Sequence, residues 1–216
     1  MAILQFPPLD HASPEGLLAV GGDLEIPSLK LAYSQGIFPW PSEGLPLLWF
    51  APWKRGILDF KDFKIPRRAR RDLKGRDYRF AIDENFAAVI RACAIGKTRK
   101  SRGTWITLEM EKAYLHFHEA GYAHSFECYN AAGKLVGGLY GVGMGAMFAA
   151  ESMFFEESGA SKAVLIFMVE SLKKKGATWV DIQVLSPLLK NFGAKEITRE
   201  EFLARLQQAL PQADLF

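Results

Sequence analysis

Apolar residues recur along this chain at helical spacing in some stretches and alternate at strand spacing in others. A short helix is expected from Pro27 to just before Gly36, with Leu29, Ala32 and Tyr33 facing inward. Leu45–Phe50 and Gly56–Phe60 read as strands on either side of Ala51-Pro52. From Asp83 onward the pattern changes to longer helices and strands. Asp83 is the expected cap of a helix presenting Phe86, Val89, Ile90 and Cys93 and stopped by Gly96. Thr107 is the expected cap of a second, which buries Met110, Ala113, Tyr114 and Phe117 and closes at Gly121. Ala123–Tyr129 and the segment from Leu135 form a hairpin around Asn130–Gly133. A helix opening at Ser161 carries Val164, Phe167, Met168 and Leu172 and ends at Gly176. A strand follows over Thr178–Leu185, then an amphipathic helix over Glu200–Leu210. The pattern predicts an α+β chain: a small loop- and strand-rich N-terminal domain (1–62), then a larger domain with a mixed sheet (63–216).

The stretch Leu135–Phe155 has no simple period. Gly137, Gly138, Gly141, Gly143 and Gly145 leave bare backbone, and Met147, Phe148, Met153, Phe154 and Phe155 can wall an apolar pocket. One carboxylate, Glu151, interrupts this run and calls for a cationic partner. Two readings follow: a ligand floor with a charged group set in it, or a buried hairpin. In Val180–Val184, alternation places Asp181 and Gln183 on one face and Val180, Ile182 and Val184 on the other. Aspartate is disfavoured in strands, so the pair is a candidate to present an oriented carboxylate, or else it faces solvent.

Composition narrows the class. Of 216 residues 49% are hydrophobic and 24% charged, with a net charge of +3, as in an ordinary globular protein. A chain of this size can bury roughly 70% of its unfolded surface and needs no disulfide staple. Its two cysteines, Cys93 and Cys128, form no framework, which fits the reducing cytoplasm. The N-terminus does not read as a secretory signal, and no run is long and apolar enough to span a membrane. Charge is unevenly spread. Arg67, Arg68, Arg70, Arg71, Lys74 and Arg76 cluster in one segment, either a solvated linker or a footprint for a phosphate backbone.

Several familiar motifs fail on context. Gly141–Ala146 matches G-x-G-x-x-A, but a strand follows where a dinucleotide site needs a helix. Gly96-Lys97-Thr98 lacks the leading glycine of a P-loop, since Arg91 stands there. His11, His116, His118 and His124 show no metal-ligand spacing, and no G-x-S-x-G elbow is present.

Taken together, GLLAVGGDL (16–24), AYSQGIFPW (32–40), LLWFAPWKR (47–55), TWI (104–106), AYLHFHEAGYAHSFE (113–127), LVGGLYGV (135–142), ESMF (151–154), ASK (160–162), DIQ (181–183) and FGA (192–194) make the chain similar to the leucyl/phenylalanyl-tRNA–protein transferases over nearly its whole length. The resemblance implies a C-terminal domain of the GNAT acyltransferase type. It implies transfer of Leu, Phe or Met from aminoacyl-tRNA to the N-terminal Arg or Lys of a protein, marking that protein for degradation, without metal or coenzyme and as a monomer. Asp181, oriented with Gln183, would hold or deprotonate the attacking amine, or act on it electrostatically. Glu151 would pair with the acceptor's basic side chain or amine. Leu139, Phe148, Met153 and Ile182 would wall the amino-acid pocket, and Trp49 and Trp105 would stack the terminal adenosine. The arginine cluster would meet the tRNA acceptor stem.

Three positions depart from the family pattern: Ala150 in place of Gly, Leu188 in place of His and Phe50 in place of Trp. Two other functions compete. An acetyl-CoA-dependent N-acetyltransferase of the same fold needs a glycine-rich pyrophosphate loop before its central helix, where this chain has EESGASK (156–162). A non-catalytic tRNA-binding module would use the arginine cluster and have no need of Asp181 or Gln183.

Overall fold

The structure is a computed structural model that describes residues 2–41, 44–95 and 106–216. In chain order the elements are β1 (Leu17–Val20), α1 (Ile26–Ser34), β2 (Phe38–Pro39), β3 (Leu48–Phe50), β4 (Lys54–Asp59), α2 (Arg67–Leu73), β5 (Arg79–Ile82), α3 (Phe86–Ile95), α4 (Leu108–Glu119), β6 (Ala123–Tyr129), β7 (Leu135–Met144), β8 (Met147–Phe155), α5 (Ala160–Lys174), β9 (Trp179–Gln183), α6 (Pro187–Asn191), β10 (Lys195–Thr198) and α7 (Arg199–Ala209). Local chemistry sets most of these limits. Pro27 opens α1, where its missing N–H has no helical partner to lose. The Thr107 hydroxyl accepts from Met110 N at 3.2 Å and starts α4.

The cap of α3 is Asn85, not Asp83. Asn85 Oδ1 accepts from Ala88 N at 3.1 Å. Asp83 has a positive φ of 56° and turns its carboxylate toward β6, where Oδ1 accepts from Ser125 N at 2.6 Å. Its other oxygen, Oδ2, meets His124 Nδ1 of the same strand at 2.7 Å, so the whole carboxylate is spent on β6.

Two sheets result. Strands β1, β3 and β2 form a small antiparallel sheet in the order β1-β3-β2. The larger sheet has seven strands in the order β10-β4-β9-β8-β7-β6-β5, antiparallel throughout except for the parallel pair β8·β9. By hydrogen bonding β4 belongs to this large sheet, although it lies before residue 63. Apolar cores cover both faces. One gathers α1, α3, α4 and the small sheet; the other gathers α2 and α5.

The glycines of β7 serve this packing. A Cβ at Gly137 would lie 2.8 Å from Ala160 Cβ, and one at Gly141 would lie 2.6 Å from the Phe148 ring. Protein side chains, not a ligand, fill the space over those two residues, so this half of the stretch is a buried hairpin. Gly145, with φ 56°, makes the tight β7–β8 turn. The rejected G-x-G-x-x-A match therefore lies on a strand-to-strand turn.

Trp49 is also core. It is fully buried, meets Phe6 edge-on at 5.0 Å and donates its indole N–H to Gly21 O at 2.9 Å. With its faces and its N–H spent inside the small sheet, it cannot stack a base, which corrects the role implied by the resemblance. Trp105 lies outside the described residues.

Candidate active site

The parallel strands β8 and β9 are in register at one position only, Ala149 opposite Asp181. Beyond it they part. A cavity of about 330 Å³ occupies the opening. Ala150, Glu151, Ser152 and Met153 of β8 line one side, and Ile182, Gln183 and Val184 the other. Leu139 of β7 and Leu165 and Met168 of α5 close the apolar end, while Phe38, Pro39 and Trp40 close it from the small sheet. Glu151 is the one ionisable side chain among the described lining residues.

The β9 side of the opening depends on one strained residue. Gln183 has φ 50°, and Val184 N reaches back to Ile182 O across it, forming a γ-turn. The turn breaks the strand alternation read from the sequence. Ile182, Gln183 and Val184 consequently all face the cavity, whereas Asp181, expected beside Gln183, does not.

Asp181 is 1% exposed, and both of its oxygens are engaged by Arg55 of β4. Arg55 Nε donates to Oδ1 at 2.8 Å and Nη2 to Oδ2 at 2.7 Å. Arg55 Nη1 donates to Gly36 O at 3.0 Å, and the guanidinium lies between the rings of Phe38 and Phe202, 4.6 and 4.4 Å from their centroids. Asp181 Oδ1 also accepts from the backbone N–H of Gln183 at 2.9 Å, which helps hold the γ-turn. Spacing along the chain names no cationic partner for Glu151, the acid expected to need one. The cation goes instead to the neighbouring acid.

Glu151 has neutral partners. Its Oε1 accepts from Gln183 Nε2 at 2.8 Å and from the Tyr33 hydroxyl at 2.8 Å. Tyr33 in turn is hydrogen-bonded to the Tyr114 hydroxyl, so a chain of hydroxyls runs from α4 through α1 to the cavity. Loss of hydration pushes the Glu151 carboxyl up to about 8; the Asp181 charge adds to this, and Tyr33, Arg55 and Gln183 oppose it. Burial, then the Glu151 charge, holds both tyrosines well above the usual phenol range, so they remain donors.

Of the other expected wall residues, Leu139, Met153 and Ile182 line the cavity. Phe148 does not. It is fully buried among Phe126 and Phe216 and supports the strand from behind. Sequence reasoning missed Arg55, Tyr33, Tyr114, Phe38 and Trp40 as site residues. Trp40 carried a signal, since it ends the GIFPW segment. It is 39% exposed at the cavity and packs edge-on against Phe50.

The basic segment forms α2. Arg67, Arg68, Arg70, Arg71, Lys74 and Arg76 are all exposed, and Ala69 is the helix's one buried residue. Asp72, within the same helix, pairs with Lys162 of α5 at 2.6 Å and ties α2 to α5. Elsewhere the fold assembles a cluster that spacing did not show. Asp83, His118 and His124 bring their ligand atoms within 4.8 Å of one another. Three of the four ring nitrogens already face protein oxygens: His124 Nδ1 on Asp83, His124 Nε2 on Gly121 O and His118 Nδ1 on Ala123 O. None of the three residues lines the cavity.

A mixed sheet opened at its one parallel pair, with a helix behind the opening, is a GNAT-like acyltransferase fold. Among solved structures, FemX is similar with a TM-score of 0.50 at 12% identity, covering 80% of this chain and 66% of that one. Sequence comparison is more specific. The family model described as leucyl/phenylalanyl-tRNA protein transferase matches residues 57–207, and the model of that family's N-terminal domain matches 22–52. The leucyl/phenylalanyl-tRNA–protein transferase of Methylococcus capsulatus is 49% identical over 205 residues, 94% of this chain and 86% of that protein. That of Anaeromyxobacter dehalogenans (strain 2CP-C) is 47% identical over 210 residues, 97% and 90% of the two chains. The chain belongs to the leucyl/phenylalanyl-tRNA–protein transferase family, and it is an enzyme of the transferase class.

Proposed function

We propose that the chain transfers Leu, Phe or Met from aminoacyl-tRNA to the N-terminal Arg or Lys of acceptor proteins, marking them for degradation. The observation that carries this reading is the cavity: an apolar chamber with a single carboxyl–amide pair, Glu151 and Gln183, on its wall. The apolar end, with Leu139, Met153, Leu165, Met168 and Ile182, takes the donor side chain. Flexible methionines suit unbranched and aromatic side chains alike. The exposed face of Trp40 is the platform for the tRNA's terminal adenosine, and exposed α2 meets the acceptor stem.

The reaction is aminolysis of an ester. The acceptor amine forms a bond to the donor carbonyl carbon, the bond from that carbon to the ribose oxygen breaks, and the amine proton ends on the ribose oxygen. The amine must be neutral to attack, and its ordinary pKa is about 8. Glu151, raised to about 8, is matched to take that proton and pass it on. The Gln183 amide, whose N–H₂ is directed to Glu151, leaves its oxygen to orient the amine. Asp181 does not touch the amine. It acts electrostatically, and by holding the Gln183 turn. Glu151 also offers the negative end for a basic acceptor.

The test is transfer of labelled leucine from Leu-tRNA to a peptide beginning with Arg. Robust transfer by the wild-type protein is expected, and a chain that binds Leu-tRNA without transferring would instead be a binding module. Tight, saturable binding of acetyl-CoA would favour the acetyltransferase alternative.

A further inference from the structure

We propose that Arg55 is a positioning residue of this reaction. It ties the Phe38 wall of the cavity to the turned end of β9, and it occupies Asp181 so that Glu151, not Asp181, acts on the amine. The inference rests on the transfer reading above.

The geometry is specific to a guanidinium. All three of its nitrogens donate, two to Asp181 and one to Gly36 O. Its faces are covered by Phe38 and Phe202. Gly36 and Phe38 lead into β2 and Trp40, one wall of the cavity. Asp181 leads, through its bond to Gln183 N, to the γ-turn and the opposite wall. A single buried side chain therefore sets the distance between the walls. Lysine has one point charge and cannot make the paired contact or stack in this way.

Charge gives the second role. The charged and titratable groups acting on Glu151 are Tyr33 from α1, Tyr114 from α4, Asp181 from β9 and Arg55 from β4. The two tyrosines are neutral donors. The balance at Glu151 thus depends on Asp181 and Arg55 cancelling each other.

Two readouts test this, one of them independent of activity. The first is the carboxyl carbon-13 resonance of Glu151 in protein labelled at glutamate, assigned by its absence from Glu151→Gln. The second is kcat for leucine transfer, corrected for folded fraction. Arg55→Met should shift the Glu151 titration upward by about one pH unit or more, because Asp181 is left uncompensated beside it. Arg55→Lys should leave the titration near its wild-type position yet lower kcat about 10- to 100-fold, because charge is kept and geometry is lost. Arg55→Met/Asp181→Leu removes both charges together, leaves no unpaired buried ion to oppose folding, and should return the titration to the wild-type range with kcat still depressed. Wild-type kcat in folded Arg55→Lys or in the double variant would overturn the positioning role. An unmoved titration in folded Arg55→Met would overturn the charge role. Because the resonance needs no substrate, its outcome is separate from whether the chain transfers leucine at all.

Discussion

The ends of β8 and β9 each carry one carboxylate, and the fold treats the two in opposite ways. Asp181 on β9 is sealed, paired with a guanidinium and bonded to backbone. Glu151 on β8 faces an apolar cavity, and its hydrogen-bond partners among the described residues are neutral donors. The first arrangement fixes a charge and removes it from chemistry. The second leaves a proton loosely held near neutral pH. In the proposed reaction the two acids, on strands that part at the cavity, divide the work: the one paired with a cation holds shape and the other moves a proton.

The largest effect expected from breaking this contrast is on stability. Asp181→Ala leaves Arg55 buried without its counter-charge and should destabilise the protein by about 3–5 kcal/mol in urea denaturation, with transfer lost as the Gln183 turn relaxes. If Asp181→Ala kept both wild-type stability and an unchanged rate, its structural role would be refuted.

Glu151→Gln should keep the fold and lower kcat by about 100-fold or more, since it removes the proton acceptor and not the shape. It should also change the pH dependence of stability. Between the unfolded value of 4.5 and the folded value of about 8, the native protein holds a proton that the unfolded chain has released. Wild-type stability therefore falls as pH rises through this window, and that slope should be absent from Glu151→Gln. Parallel denaturation curves for the two proteins between pH 5 and 8 would contradict the assignment.

The exposed basic helix should respond quite differently from either acid. Neutralising Arg67, Arg68, Arg70 and Arg71 together should weaken tRNA binding about tenfold at moderate salt and flatten its salt dependence, while the Glu151 titration stays unchanged. The smallest effect is on donor choice. Leu139→Phe should narrow the apolar end and reduce Phe transfer several-fold more than Leu transfer, measured as a ratio of kcat/KM values.

How far the sequence anticipated this molecule depends on how local each cause was. Helices α1 and α4 and strand β6 follow from spacing and caps, and the Ala123–Tyr129 strand has the limits read from its pattern. Glu151 was legible as an acid in an apolar run. Its partners were not, because Tyr33 and Gln183 come from 118 and 32 residues away. Alternation failed at Gln183 for the same reason. The γ-turn there is imposed by Asp181, which is itself held by Arg55 from 126 residues away. Asp83 was misread as a cap because its real partner, Ser125 N, is brought by strand pairing. Trp49 looked available because sequence shows residue type and not burial; the exposed tryptophan at the cavity is Trp40.

The central claim is that Glu151 meets the acceptor and exchanges a proton there. Calorimetric binding of an Arg-initiated peptide at pH 7, in buffers of different ionisation enthalpy, counts the protons that move on binding. With a basic acceptor stabilising the ionised carboxylate, wild type should release measurably more protons than Glu151→Gln. The same proton count for both proteins would contradict the account.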